Sequence, residues 1–549
     1  MRHALAIALA VAASLPLHAA ELPGGGIQAD NVAAHLRTLS SDAFEGRAPA
    51  TAGEDRTVAY LIEQFRKAGL QPAGEDGGWT QAVQLDRTTI DGEVVMSVSN
   101  GSGKRALKQG EDAVVQTLRP GKRVHLENAP LVFVGYGIVA PELGWNDYAG
   151  VDLAGKVAVV LVNDPDFETP QPGLFGGRAL TYYGCWTYKY EEAARQGASG
   201  VLLVHETAPA SYGWTTVRNS GVSPQFDIVR PDAERVHVPM RGWIQRDLAV
   251  SLFKDTGLDF EAEKARAQRE GFKAVMLKDT TVSVDFATQR DRISSRNVLG
   301  VLPGSKRVDE TVIVSGHWDG YGIGTPDVSG DRIYNAAVDN ATAIASMIEL
   351  ARVFHAGEPM QRSLLFLATT SEEKNLLGAK YYAAHPLRPL ATTAAVLNME
   401  MWSPDGPARD IASWGDGKVS LQLDLAKAAA VDGRAYSPDP DLSVGLFYRA
   451  DHFAFAQAGV PGITIGPGMD QLDGGKAGGD AARADYFAKR YHQPDDEFSD
   501  AWDMRGPVAD ITTVYHLIRG LADSEAWPTW NADSEFRAER EKSATARGR

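Results

Sequence analysis

Five short stretches in the second half of a 549-residue chain hold the residue types that bind divalent cations. They are His317-Trp318-Asp319, Asp339-Asn340-Ala341, Glu372-Glu373, Asn398-Met399-Glu400 and Tyr491-His492-Gln493-Pro494-Asp495-Asp496. Two imidazoles and several carboxylates, separated by apolar runs, are the donors a hard-to-borderline ion such as zinc takes, and a second ion beside the first needs one shared carboxylate. The chemistry open to this set is hydrolysis at a two-metal centre. Each motif alone also has a plainer reading. A His-x-Asp triplet is more often a capped turn, Asp339 opens a predicted helix where aspartate accepts backbone N–H bonds, and Glu372-Glu373 reads as a solvated acidic pair. A lone histidine such as His492 more often bonds to backbone than to metal. Adjacent carboxylates at a strand end let one bind metal while the other stays free as a base. Asp495 and Asp496 stand where they could support a ligating His492, and Asp451-His452 is open between support and helix capping.

The elements that must carry these residues alternate regularly. Strands are expected at 311–315, 363–368 and 394–398 and helices at 340–354 and 376–384, which implies right-handed βαβ units in an α/β fold: a mostly parallel mixed sheet with helices on both faces. In such sheets ligands bind at the carboxyl ends of the strands. His317, Glu372 with Glu373, and Glu400 each follow directly on an apolar strand. Upstream, apolar residues at helical spacing predict a helix over 54–70, closed by Gly69. Short β-branched runs at 130–134, 156–162 and 200–204, with a helix at 189–196, predict a small α/β insert. The division expected is 1–20 leader, 21–115 first part of the catalytic domain, 116–285 insert, 286–534 catalytic domain and 535–549 polar tail. The Gly- and Asp-rich stretch 466–482 reads as a mobile loop and the tail as frayed.

An apolar fraction of 44% is enough for large cores. Arg2, an apolar run from Ala4 to Leu17 and the small residues Ala19 and Ala20 resemble a secretory signal peptide. No later segment reaches the about 20 apolar residues of a transmembrane helix. A formal charge of −16 argues against nucleic acid or an anionic membrane as partner. Cys185 is the single cysteine, so no intrachain disulfide forms, which fits a bacterial periplasm or culture medium. Neither Gly-x-Ser-x-Gly nor His-Glu-x-x-His occurs, which sets aside the common serine and single-zinc hydrolase signatures.

Over most of its length the chain resembles M28-family metallopeptidases of the aminopeptidase type that carry a protease-associated domain inserted before the metal site. The resemblance rests on Ser41-Asp42-Ala43-Phe44-Glu45-Gly46-Arg47, on Val134-Gly135-Tyr136-Gly137-Ile138 with Gly155-Lys156-Val157 for the insert, and on Gly316 to Asp319, Asn335 to Asn340 and Tyr491 to Asp496. It implies two Zn²⁺, with His317 and Glu400 on one ion, Glu373 and His492 on the other, and Asp339 bridging. It implies Glu372 as the general base toward a metal-bridging hydroxide, Asp319 as the group orienting His317 or its neighbours, and Tyr448 as an oxyanion stabiliser. Glu400 departs from the family's usual aspartate. The implied activity is release of N-terminal amino acids from peptides, with a carboxypeptidase or dipeptidase of the same family and a one-zinc, glutaminyl cyclase-like acyl transferase as alternatives. The insert is expected to shape access or bind protein substrate, and Trp402, Phe447 and Tyr448 to border an apolar pocket.

Overall fold

The computed structural model describes residues 22–101, 103–169 and 173–548. The leader expected at 1–20 lies outside them. After two amphipathic helices, Ala29–Leu39 (α1) and Ala52–Lys67 (α2), the chain leaves along Thr80–Asn100 (β1). It then forms Ala113–Gln116 (β2), Arg123–Phe133 (β3), Val157–Leu161 (β4), helix Trp186–Arg195 (α3), Gly200–His205 (β5) and Met240–Gln245 (β6), and returns along Val275–Leu302 (β7). β1 and β7 make a long antiparallel ribbon, paired from Ser99 opposite Thr281 to Thr80 opposite Val298. Its 281–286 portion carries the alternating apolar pattern of a strand. Further on, Gln289-Arg290-Asp291-Arg292 breaks the apolar alternation, and the pairing there is carried by backbone bonds with cross-strand ion pairs, Arg87–Asp291 at 2.8 Å and Arg290–Asp86.

β7 is a seam between two sets of parallel strands. Its first part pairs with β3, which leads through β4 and β5 to β6, all parallel, with β2 antiparallel at the edge. These strands bury a core of their own around Val132, Val160, Leu203 and Trp243. The last residues of β7 pair antiparallel with Arg362–Thr369, one of the strands that follow: Arg307–His317 (β8), Arg362–Thr369 (β9), Thr393–Met399 (β10), Asp410–Ser413 (β11) and Gly462–Pro467 (β12). β12, β10, β8 and β9 are parallel neighbours in that order, with β11 antiparallel outside β12.

Successive residues of these strands feed opposite cores, as the two-residue period of a strand requires. Val312, Val314, Leu364 and Phe366 join one cluster with helices Thr342–Ala356 (α4) and Arg505–Asp523. Ile313, Leu365 and Leu367 join another with Ala379 and Tyr382 of helix Leu377–Ala384 (α5). Each such side chain contributes about 2 kcal/mol on burial, and a one-residue slip would exchange the two faces, so the register that places the strand ends is strongly specified.

Two expectations are corrected. The later part of the stretch read as a mobile loop, from Gly475 on, belongs to helix Gly475–Lys489 (α6). Its glycines serve close approach: a Cβ on Gly479 would lie 2.1 Å from the Met469 carbonyl oxygen. The polar tail is docked as far as residue 548, because Phe536 is buried against Phe447 and Trp530 and Arg540 donates to the Thr393 carbonyl at 2.7 Å. Among the described residues no helix is long and apolar enough to cross a membrane.

Candidate metal centre

The sequence motifs meet at the carboxyl edge of the parallel strands. β8 ends at His317, the turn after β9 holds Glu372 and Glu373, β10 is followed by Glu400, and His492 lies in the loop after α6. Asp339 precedes α4. It is not the helix cap, since α4 begins three residues later at Thr342 and Asp339 is extended at φ −113°, ψ 87°. Its side chain is thereby free to face inward. Asp339 Oδ1 lies 3.2 Å from His317 Nε2 and Oδ2 lies 3.3 Å from His492 Nε2. Glu400 Oε2 is 3.5 Å from His317 Nε2, Glu373 Oε2 is 3.3 Å from His492 Nε2, and Glu372 Oε2 is 3.9 Å from His317 Nε2.

The supporting groups fix tautomers and rotamers. His317 Nδ1 donates to the Asp319 carbonyl at 3.1 Å, which leaves Nε2 as the free donor atom. The fully buried Asp319 carboxylate accepts the main-chain N–H of Glu372 at 3.0 Å and of Glu373 at 3.4 Å, so it positions the acidic pair and acts on His317 through its backbone. Glu400 is held on both oxygens, by Asn340 Nδ2 at 2.6 Å and Asn398 Nδ2 at 3.0 Å. Asp496 does not support His492, as its sequence position implied. It accepts the N–H groups of Val338 and Asp339 at 3.1 Å, whereas Asp495 is exposed and His492 Nδ1 pairs with the Tyr321 hydroxyl at 3.1 Å.

Beneath the cluster Arg47, 1% exposed, donates to the carbonyls of Leu39, Trp318, Asn335 and Ala336 at 2.7–2.8 Å. Asp451 and His452 lie in the floor: Thr369 donates to Asp451, and Thr464 is bonded to His452 Nδ1 at 2.7 Å. Asn340, Asn398, Arg47 and Tyr321 had no assigned role. The signal available was a polar residue inside an apolar run, as with Asn398 at the end of β10. Tyr448 is not brought to the cluster. Its hydroxyl donates to Glu535 at 3.0 Å, and with Phe447 and Trp402 it belongs to the core. The cavity beside the cluster is instead lined by Val338, Met401, Leu446, Met469, Tyr486 and Phe487, with Arg483 and Arg490.

Burial raises the carboxyl groups, that of Glu373 to about 7 and that of Glu372 well above its ordinary value. For His317 burial works against charge, but Glu400 and Glu372 outweigh it and hold the imidazole well above its usual range. Asp339, despite burial, is held low by His317 and His492. Crowded carboxylates and imidazoles sharing protons at 3–4 Å are what a metal site looks like when its donors balance one another's charge. Glu373 Oε1 is also buried without a hydrogen-bond partner, as expected for an oxygen shaped for a ligand. His317, Asp339 and Glu400 form one group able to hold an ion, Asp339, Glu373 and His492 another, and His317, Glu372 and Glu373 a third that overlaps both. The set fits zinc in donor type and number.

Residues 297–513, which contain all these donors, match the family model described as peptidase family M28. The chain is similar to a "Probable zinc metalloprotease" of Pyrenophora tritici-repentis (29% identity, 38% of this chain and 55% of that one). It is also similar to one of Phaeosphaeria nodorum (25% identity, 35% and 47%). It spans about half the length of these curated relatives. Among solved structures it is similar to "Aminopeptidase from Aneurinibacillus sp. strain AM-1", with 19% identity, 90% of this chain and 94% of that one covered and a TM-score of 0.49.

Proposed function

We propose that the M28 domain is a dizinc exopeptidase that removes N-terminal amino acids from peptides. The observation that carries this reading is the division of Asp339, one carboxylate oxygen toward each imidazole at 3.2 and 3.3 Å, which is the geometry of a shared ligand. His317, Asp339 and Glu400 would hold one zinc ion, and Asp339, Glu373 and His492 the other. Zinc bound there would polarise the scissile carbonyl and acidify water. Glu372 stays outside both groups and is the base: it takes a proton from the attacking water and returns it to the leaving amine. Asp319, through the N–H groups of Glu372 and Glu373, keeps the base and the ligand apart in direction. No residue is assigned to the oxyanion, and Tyr448 is withdrawn from that role.

Charge supports an amino terminus. Asp319, Asp339, Glu372, Glu373, Glu400, Asp451 and Asp496 outnumber the guanidinium groups near them, Arg47 below and Arg490 beside Asp496, and two zinc ions leave this assembly net negative, which favours a substrate ammonium over a carboxylate. The apolar cavity between Val338 and Met401 would take the first side chain. A second reading, carboxypeptidase or dipeptidase, is favoured by Arg483 and Arg490, which line that cavity and have no ion-pair partner among the described residues. The leader motif and lone cysteine support export.

Zinc counting together with leucine p-nitroanilide and an amino-blocked peptide with a free C-terminus tests the proposal. Two zinc ions per chain and cleavage of the free-amine substrate alone are expected. Cleavage of the blocked peptide alone would make it a carboxypeptidase, and one zinc per chain would point to the acyl transferase. Glu372→Ala is expected to lose about a hundred- to ten-thousand-fold in kcat with zinc retained.

A further inference from the structure

A second cavity, of about 810 Å³, is lined by none of the metal-centre donors. It lies between α5 of the M28 domain and the strands and helices of residues 182–241, and its size falls in the range of small-molecule sites, roughly 300–1,000 Å³. Arg195, Arg235 and Lys542 lie on its wall, as do three further cations. Lys380 comes from α5, Arg241 from β6 and Arg230 from the loop before it.

The carboxylates nearby are already engaged. Asp232 pairs with Arg230 at 2.7 Å, Asp227 with His237 at 2.6 Å, and Glu191 accepts from the Tyr182 hydroxyl at 2.8 Å. Two donors are left over. Lys380 Nζ has no hydrogen-bond or ion-pair partner among the described residues, and its ammonium is lowered by burial, which Glu191 and Asp227 offset only in part and to which Arg241 and Arg230 add a smaller repulsion. Arg241 gives one Nη to Gln225 at 3.0 Å and lies over the Tyr190 ring at 5.4 Å, but its buried Nε has no partner. A half-buried ammonium with no hydrogen-bond partner costs stability unless something completes it. The group that does so with the strongest hydrogen bonds is an oxyanion.

We propose that this cavity binds the carboxylate or phosphate of a small molecule through Lys380 Nζ and the Arg241 guanidinium, with an aromatic or apolar arm lying against Tyr182 and Tyr190. The site is separate from the zinc donors and does not depend on which peptide end the enzyme cuts. It borders Asn375, whose N–H closes the turn of Glu372 at 2.9 Å.

The test is isothermal titration of the zinc-loaded full chain with inorganic phosphate and, separately, with N-acetylphenylalanine and its amide. Phosphate can also meet zinc, so the site is read from the difference between the wild-type chain and the variants. At least one oxyanion is expected to bind in a class of sites that weakens about tenfold or more in Lys380→Met and in Arg241→Met and survives in Lys380→Arg. The amide should not bind there, and whichever acid binds identifies the source of the oxyanion. Without ligand, Lys380→Met is expected to keep or raise the melting temperature, because it removes an unpaired cation, and to leave hydrolysis of leucine p-nitroanilide unchanged. Binding unaltered in both variants, equal binding of the amide, or no binding beyond the zinc site would overturn the proposal.

Discussion

Glu400 shows how a single methylene recruits its surroundings. Where an aspartate would sit nearer the strand, the longer side chain reaches amide donors on both oxygens, from Asn340 and Asn398, while Oε2 still comes within 3.5 Å of His317. Glu400→Asp, although it restores the commoner residue, should therefore pull the carboxylate away from both amides and weaken zinc binding by about ten- to a hundredfold. Competition against a chromogenic chelator measures this, and an affinity equal to the parent's would show that the amides are not tuned to glutamate. The proposed ligands were legible from their types because a metal accepts few kinds of donor. The amides were not, since asparagine bonds to almost anything and its partner is chosen by folding. Tyr448 misled for a related reason. It stands close to Asp451-His452 in sequence, but the turn at Leu446–Tyr448 sends its hydroxyl to Glu535.

At the scale of elements, the candidate centre depends on loops held against strand ends. Ala336, Ser371, Met401 and His492 all have left-handed φ, from 50° to 58°, a conformation that costs a non-glycine residue about 1 kcal/mol or more, and the cost is sustained by bonds across segments. Arg47 is the chief of these, because its planar fork joins the end of α1, the residue between His317 and Asp319, and the approach to Asp339. Arg47→Lys keeps the charge but cannot span these carbonyls, so it should lower the stability of the folded chain by about 2–4 kcal/mol and weaken zinc binding along with it. Urea unfolding with and without zinc is the measurement, and a loss below about 1 kcal/mol would assign the clamp elsewhere. The strands and helices of the 297–400 region could be read in advance because each repeats a period of 2 or 3.6 residues over a buried face. The polar half of β7 and the glycine-rich start of α6 could not, since their conformation is set by a neighbouring strand and by close backbone contact.

For the whole molecule, acidic crowding couples stability to pH and metal. In the metal-free chain burial raises Glu372, Glu373 and Glu400, and carboxylate neighbours raise His317 and His492 against the effect of burial. These groups bind more protons folded than unfolded between their ordinary values, 4.5 and 6.5, and their folded ones, about 7 for Glu373. Their contribution is present at low pH and is lost as pH rises. His452, lowered to about 3 by burial, acts in the opposite sense but only below its ordinary 6.5. Chelator-stripped protein should therefore melt at progressively lower temperature from pH 6.5 to 8, and zinc should raise the melting temperature most at pH 8, where it displaces fewest protons. Scanning fluorimetry decides this, and a metal-free melting temperature that climbs with pH over that interval would contradict it. The sequence by itself determined the donor types, the alternating elements and the strand ends on which the donors stand, because these follow from local periodicity and residue chemistry. Only the tertiary structure decided that one carboxylate faces two imidazoles, that an arginine some 270 residues upstream lies beneath them, and that Lys380 meets Arg241 across a cavity. Those juxtapositions join segments far apart in the chain, and no local pattern encodes the distance between them.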